Sequence, residues 1–136
     1  MSRDYTKGKA IFFHKNRDNV EKAQAAFVMN ADVPGVNKFI AISDASVISC
    51  MMMVNEKGLA GSADYPGGLK PEPAQKQYRG IMNTFLLRHI AERAADCSEA
   101  LKIIQDFVAK GYYAGGRVDA THWLFVDRSG AILEVS

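Results

Sequence analysis

The residues near the amino terminus whose types could do chemistry are Lys15, Asn16, Arg17 and Asp18, which follow one another directly. Two cations beside one carboxylate form either a charged site or the solvated end of a strand. Alternate residues of a strand face opposite sides, so Lys15 and Arg17 are predicted on one face and Asn16 and Asp18 on the other. From these residues alone, a solvated strand end is the favoured interpretation.

The element that must position this group is the apolar run at residues 10–13, which is rich in strand formers. Gly8 precedes the run with a turn signal, and the charged residues follow the run at once. This pattern predicts a short buried strand that reaches the surface at Lys15.

The other residues that could act chemically are two cysteines and three histidines. Cys50 and Cys97 lie in apolar contexts without C-x-x-C spacing, which predicts buried free thiols in a reducing compartment and no zinc site. His89 lies on the apolar stripe of a predicted helix, which favours a histidine packed in the core. A base or metal cluster of His14, His89 and His122 would require the three side chains to converge, and their sequence positions do not show whether they do.

Length and composition predict one ordinary domain over residues 1–136, with 48% hydrophobic residues and a net charge of +2. The basic residues are scattered and no basic run interleaves with aromatics, so nucleic-acid binding is not expected. The longest apolar run, residues 47–54, is too short to span a bilayer. Residues 1–5 carry an acid and no apolar segment, so neither a secretory signal nor membrane association is expected, and the predicted location is the cytoplasm.

The predicted elements are several strands, then two helices, then a hairpin, with no early β-α-β crossover. This order predicts an α+β domain with an antiparallel sheet and a helical layer on one face. The run at residues 47–54 does not alternate, so it is predicted as a strand covered on both faces, with its methionines in the core. The predicted strands are residues 10–13, 25–29, 39–42, 47–54, 59–63, 122–127 and 131–135, with a tight turn at 55–58, and the predicted helices are residues 77–95 and a segment that runs from an N-cap at Ser98 to a stop at Lys110 and Gly111.

Three stretches of the chain together resemble one protein family. Residues 8–18 resemble its turn, strand and basic-Asn-x-Asp motif, residues 54–67 its N-E-K-G-L hairpin and the loop that follows, and residues 121–135 its H-W-x-x-x-D-x-S-G hairpin. The family is the N-terminal-nucleophile amide hydrolases of the choloylglycine hydrolase and penicillin acyltransferase type. The resemblance implies an αββα sandwich, of which this chain is expected to form only a part.

The resemblance also implies a site that cleaves linear amide bonds. In the family the nucleophile is an N-terminal cysteine whose own α-amine is the base, and a free α-amine with a pKa of about 8 suits that role. This chain has no cysteine near its amino terminus, so Ser2 is the hydroxyl residue that removal of Met1 would place first. Lys15 and Asp18 stand where choloylglycine-type members carry Arg and Asp, and Asp64 stands where the family has an Asn that donates to the oxyanion.

The expected function is hydrolysis or acyl transfer at the linear amide (non-peptide C–N) bond of a small N-acyl compound, by a homo-oligomer without cofactor or metal. One departure bears on it: Asp64 is an anion, which would repel an oxyanion instead of donating to it. The alternatives are a non-catalytic relative that binds a small ligand or a partner protein, and a plain α+β domain whose resemblance is accidental. The residues that the resemblance implies are Ser2, Lys15, Asp18 and Asp64 as catalytic, and Asn16, Arg17 and Tyr65 as substrate-binding.

Overall fold

The computed structural model describes residues 10–16, 23–30, 32–64, 80–112 and 121–136. Six strands form one antiparallel sheet whose spatial order follows the chain, and two helices come between the fourth and fifth strands. This is the predicted α+β architecture. The strands are β1 (Gln24–Met29), β2 (Phe39–Asp44), β3 (Met52–Asn55), β4 (Ala60–Asp64), β5 (His122–Val126) and β6 (Ile132–Val135), and the helices are α1 (Asn83–Arg93) and α2 (Cys97–Ala109).

One side of the sheet, the inner face, is covered by the helices. Helix α1 packs on β3 and β4, and α2 packs beside β6. Because side chains alternate along a strand, every second residue points to the helices and loses its contact with water. The buried residues at the centre of the inner face include Phe39, Ala41, Met53, Gly61, Ala63, Trp123 and Phe125.

The opposite side, the outer face, is also apolar but far more exposed. One row of aliphatic residues crosses all six strands in register, and its exposed fractions reach 65% at Val28 and 67% at Ile132. No helix packs on this side among the described residues. The row consists of Val28, Ile40, Val54, Ala60, Val126 and Ile132.

The prediction of one long strand at residues 47–54, covered on both faces, is wrong. Strand β3 begins only at Met52, and within it Met53 is buried whereas Val54 is 45% exposed. Met51 still bonds to the backbone of Ile42 and Ala63, but the chain leaves the sheet at Cys50, whose amide donates to Thr84 O at the start of α1. The apolar run therefore divides between a connection that packs on a helix and a strand with one covered face.

The predicted strand at residues 10–13 is also wrong, since the described segment 10–16 contains no strand. Burial nevertheless alternates along it, as in an extended chain: Ile11 and Phe13 are half-buried, whereas Phe12 is 59% exposed. The segment lies against the outer face at β5 and β6, where it shares a cavity with Leu124 and Ile132. Its half-buried apolar residues thus lie against the sheet.

The helix ends differ in part from the prediction. Helix α2 is capped by Asp96 and not by Ser98, because the Asp96 carboxylate accepts hydrogen bonds from the amides of Ser98 and Glu99. Hydrogen bonds from the Glu99 amide and from Ser98 hold the pKa of Asp96 below its usual value. The predicted stop is confirmed, since the helix ends at Ala109. Helix α1 is shorter than predicted, and residues 77–79 lie outside the described part of the chain.

The predicted turn at residues 55–58 is confirmed and is tied to α1 by one side chain. Gly58 has a φ of 88°, which a residue with a Cβ rarely adopts. The side-chain Oδ1 of Asn55 accepts from the backbone amides of Lys57 and Leu59. Its side-chain Nδ2 donates to Ala91 O and Ala94 O at 3.0 and 2.7 Å. The turn of the β3–β4 hairpin is therefore attached to the carboxyl end of the helix.

Candidate functional site

The candidate site lies where segment 10–16 meets the end of β4. The Lys15 ammonium donates to the backbone oxygen of Ala63 and to Oδ1 of Asp64, each at 2.5 Å. The Lys15 side chain is only 9% exposed, whereas that of Asp64 is 50% exposed. An ammonium carries three N–H donors, so one donor of Lys15 has no acceptor among the described residues. The site thus presents, within the described residues, a largely buried cation with one N–H that has no acceptor, beside a solvated carboxylate.

Strand β5 adds a histidine to this site. Asp64 and His122 are directly opposite in the antiparallel β4–β5 pair, so their Cβ atoms are about 5 Å apart and on the same face. Ser62, two residues earlier on that face of β4, directs its hydroxyl at Oδ2 of Asp64 at 3.4 Å. The Nδ1 atom of His122 lies 2.6 Å from the hydroxyl of Ser136. A hydroxyl, an imidazole and an ammonium therefore lie around Asp64 at this end of the sheet.

The sequence prediction missed Ser62, and it left the role of His122 open. The signal for Ser62 was its place in a strand of small residues, where another chain or a ligand can approach closely. For His122 the signal was the register, because pairing the end of β4 with the start of β5 sets it opposite Asp64. That register depends on which strand pairs with β4 after the two helices, so it can be assigned only once the strand order of the sheet is known.

The predicted site residues divide into three groups. Lys15 and Asp64 are brought together, whereas Asn16 bonds through Oδ1 to Nε2 of His14 at 2.8 Å and lies on the exposed side of the segment. The alternation predicted for Lys15 and Asn16 is therefore observed. The remaining four, for which catalytic or substrate-binding roles stay predictions, lie outside the described residues: Ser2, Arg17, Asp18 and Tyr65.

The three histidines lie in different environments. His89 is half-buried and packs against Phe107 in a tilted arrangement with the ring centroids 5.4 Å apart, and burial together with the nearby Arg93 lowers its pKa. His14 is on segment 10–16 and His122 is on β5. Within the described ranges, no three His, Cys, Asp or Glu side chains come close enough to hold a metal ion. His89 is accordingly a packed, neutral histidine near pH 7.

Both cysteines are buried free thiols, as predicted. Burial raises the pKa of Cys50 to about 12, and it raises that of Cys97, aided by the neighbouring Asp127 carboxylate, to about 11. Because the thiolate is the reactive form, neither side chain is ready to attack a carbonyl at neutral pH. The described cysteines therefore do not supply the nucleophile that the family resemblance implies.

Asp64 stands where the family resemblance implies a donor to the oxyanion. A carboxylate cannot donate a hydrogen bond to an oxyanion, and on its own it would repel one. Here its charge is offset by the Lys15 ammonium at 2.5 Å. Its third N–H, which has no acceptor within the described ranges, is a group that can stabilise negative charge, and the low exposure of Lys15 strengthens the effect because little water screens it.

Comparisons with solved structures concern the fold of the chain. The chain is similar to penicillin V acylase from Agrobacterium tumefaciens, with 18% identity and a TM-score of 0.54, over 74% of this chain and 30% of that one. It is also similar to a variant of conjugated bile acid hydrolase from Clostridium perfringens, with 14% identity and a TM-score of 0.49, over 74% of this chain and 32% of that one. The chain thus spans about a third of the length of these structures, and the first of them shows a shared fold.

No curated protein matches the chain. Within the described residues, no helix has the length and apolar character that a membrane crossing requires. The model of one family, described as acyl-coenzyme A:6-aminopenicillanic acid acyl-transferase, matches residues 5–136. That match covers nearly the whole sequence and confirms the expected family. The chain belongs to the penicillin acyltransferase family of N-terminal-nucleophile proteins.

Proposed function

We propose that this chain is a hydrolase or acyltransferase acting on the linear amide bond of small N-acyl compounds. The observation that carries the proposal is the Lys15 ammonium, held at the end of β4 by Ala63 O and Asp64, with a third N–H that has no acceptor among the described residues. Lys15 stands at the position where choloylglycine-type relatives have a cation. Membership of the penicillin acyltransferase family supports the same reaction class.

In the proposed reaction, a nucleophile adds to the amide carbonyl and the carbonyl oxygen becomes an oxyanion. The free N–H of Lys15 donates to that oxygen, and the contacts with Ala63 O and Asp64 keep the ammonium in place before the reaction starts. A donor fixed in advance lowers the barrier because it need not reorganise as charge develops. Asp64 acts here as a positioning residue for Lys15.

The proposed nucleophile is Ser2, exposed at the chain start by removal of Met1, with its own α-amine as base. Asp18 would orient that amine. Asn16, Arg17 and Tyr65 are proposed to contact the substrate. We propose that residues 1–136 form one domain that acts in the cytoplasm without a cofactor. The protein is also expected to be a homo-oligomer, which sedimentation analysis of the purified protein tests.

The proposed function is tested with penicillin V and a set of N-acyl amino acids, by measuring the released amine with mass spectrometry. We expect release by the wild type and none by Ser2→Ala. Lys15→Met is expected to lower kcat by about a hundredfold, the scale on which loss of an oxyanion donor acts. The matched control is Lys38→Met, which removes a lysine from an exposed ion pair with Asp32 and should leave kcat unchanged.

Failure to release any amine from this set, or equal kcat for Lys15→Met and the wild type, would overturn the proposal. Labelling with an activated phenylacetyl ester, followed by peptide mass analysis, identifies the acylated residue. An acyl group on Ser2 supports the proposed nucleophile, whereas an acyl group elsewhere rejects it.

A second candidate function, a non-catalytic module that binds a small ligand or a partner protein, is favoured by the carboxylate of Asp64 beside the site. Asp64→Asn separates the two. In an enzyme this substitution restores an amide donor while keeping an oxygen that accepts from Lys15, so amine release should rise. In a non-catalytic module, neither the wild type nor Asp64→Asn releases amine, although both bind ligand.

A further inference from the structure

The sheet ends at two edge strands, β1 and β6, which differ in length and charge. An edge strand presents unpaired N–H and C=O groups, and charged side chains, prolines or a short length normally keep another chain from pairing with them. Strand β1 has six residues and carries neither a charge nor a proline, whereas β6 has four residues and carries Glu134. Within the described residues, no strand pairs with the free edge of β1. This edge is therefore open to a further strand.

The register identifies the backbone groups that β1 directs away from the sheet. The Ala45 amide donates to Ala23 O, so these two residues form a hydrogen-bonded pair of the β1–β2 ladder. Such pairs alternate along an antiparallel ladder with pairs that exchange no hydrogen bond. Every second residue from Ala23 onward therefore bonds to β2. The residues between them direct both N–H and C=O outward, and they are Gln24, Ala26 and Val28.

The inner-face side chains of β1 also lack a complete cover. Among the described elements, α1 packs on β3 and β4, and α2 packs beside β6. Phe27 packs edge-on against Phe39 of β2, with the ring centroids 6.0 Å apart, but it remains half-buried. A further strand beside β1 would remove apolar surface of Phe27 from water, which favours the pairing.

We propose that two copies of this chain pair through their β1 strands, antiparallel and about a two-fold axis at Ala26. In this register Ala26 lies opposite Ala26 of the second copy, and Gln24 lies opposite Val28 in both directions. Each of these three pairs exchanges two hydrogen bonds, so all the outward backbone groups of β1 are satisfied. The inner-face Phe27 then lies opposite the small Ala25 of the second copy. The pairing doubles the six-stranded sheet and closes on itself, as an isologous dimer does.

The other edge of the sheet is less suited to such a pair. The Asp127 amide donates to Ala131 O, so by the same alternation Ile132 and Glu134 direct their backbone groups away from β5. Two β6 strands centred on Glu134 would set two carboxylates directly opposite, which is unfavourable. A pair centred on Ile132 would instead extend into the turn at Gly130. The two edges therefore provide a matched comparison for an experiment.

The pairing is tested by sedimentation of the full chain over a range of concentrations. We expect a mass twice the 14.9 kDa of one chain. Ala26→Lys should weaken the association about tenfold or more, because two ammonium groups then meet at the axis. Mixing Ala26→Lys with Ala26→Glu should restore it, since opposite charges then face each other, and a misfolded variant would not be rescued in this way. The control Glu134→Lys changes an exposed residue on the other edge and should leave the dimer unchanged.

Equal weakening by Ala26→Lys and Glu134→Lys, or no recovery on mixing, would overturn the proposal. A monomer at all concentrations would do the same, as would masses that grow beyond the dimer, which pairing of β1 with β6 of the next copy would produce. The inference does not depend on the proposed reaction. A monomer that releases amine would overturn the pairing alone, and a dimer that releases none would sustain the pairing and count against the reaction.

Hydrogen exchange followed by NMR tests the register itself. In the dimer the amides of Gln24, Ala26 and Val28 should be protected, and their protection should rise with protein concentration. The amides of Ala25 and Phe27 bond to β2 and should be protected at every concentration. In Ala26→Lys the first group should exchange rapidly while the second stays protected. A dimer in which the amides at 24, 26 and 28 exchange freely would reject β1 as the interface.

Discussion

The two faces of the sheet have the same apolar character and opposite surroundings. On the inner face Phe125 and Met53 are at most 2% exposed beneath the helices, whereas on the outer face Val28 and Ile132 are at least 65% exposed. Both sets come from the same strands and alternate along them. The difference shows that covering elements, and not residue type, decide which apolar residues form the core, and four predictions test this comparison.

The largest contrast is expected between two neighbours on β5. Phe125→Ala removes a fully buried ring from the inner face and should lower the free energy of unfolding by about 3–5 kcal/mol. Leu124→Ala, on the outer face at 38% exposure, should lower it by less than about 1 kcal/mol, because the side chain loses few packed contacts. Urea unfolding of both variants measures the two values, and similar losses would refute the difference between the faces.

A second pair lies on β4. A Cβ added at Gly61 would meet ring atoms of Phe125 at 2.6 and 2.7 Å and Met53 Cε at 3.1 Å. Gly61→Ala should therefore destabilise the fold by about 1–3 kcal/mol through overpacking. Its neighbour Ala60 points to the outer face, and Ala60→Val should change the free energy of unfolding by less than about 0.5 kcal/mol. If Gly61→Ala left the free energy of unfolding unchanged in thermal and urea unfolding, the inner face would have to rearrange to accommodate the added methyl group.

The third prediction concerns Asp127, which joins the β5–β6 turn to the start of α2 on the helical side. Its carboxylate accepts from the Cys97 amide at 3.2 Å and from the Ser129 amide at 2.8 Å. Burial alone would raise the pKa of Asp127, but its hydrogen bonds from Ser129 and Cys97 outweigh burial and lower it. Asp127→Asn should lower the free energy of unfolding by about 1–2 kcal/mol at pH 7.

The pH dependence of that loss has a definite sign. Because the folded pKa of Asp127 lies below 3.8, its ionised form stabilises the fold above the unfolded pKa, and this stabilisation is lost as the pH falls through the folded value. The difference between wild type and Asp127→Asn should therefore shrink between pH 5 and about pH 3. The control is Asp32→Asn in the exposed pair with Lys38, for which no measurable change is expected. A loss that does not vary with pH would exclude the charge as its cause.

The smallest effect is expected on the outer face away from segment 10–16. Ile40→Thr replaces a side chain that is 53% exposed and should change the free energy of unfolding by no more than about 0.5 kcal/mol. Its neighbour Ala41 is 1% exposed, so Ala41→Thr should destabilise by about 1–3 kcal/mol through overpacking. If Ile40→Thr proved as harmful as Ala41→Thr, another part of the molecule would have to cover the outer face.

Most of the fold follows from local patterns in the sequence. Short apolar runs, the turn at Gly58 and the helical stripe around Ile90 predicted the elements and their order. The strand at residues 47–54 was wrong because its apolar residues suit a covered connection as well as a strand. The contact from Cys50 to Thr84 at the start of α1 distinguishes the two, and it joins residues far apart in sequence.

The candidate site is harder to predict from the sequence than the fold. Lys15 and Asp64 were singled out through family resemblance, and no local pattern shows that residues 49 positions apart would meet. His122 becomes part of the group only because β5 returns beside β4 after two helices. Long-range register of this kind depends on the whole fold, so sequence reasoning supplied residue types and the structure supplied their neighbours.

The four hydrogen bonds of the Asn55 side chain have a consequence for how the molecule opens and closes. Two go to Lys57 and Leu59 within the turn, and two go to Ala91 and Ala94, more than 35 residues away. When α1 lifts from the sheet, the buried Asn55 amide loses both helix acceptors, which is costly for a buried polar group. The hairpin and the end of the helix are therefore expected to exchange their amide hydrogens as one cooperative unit.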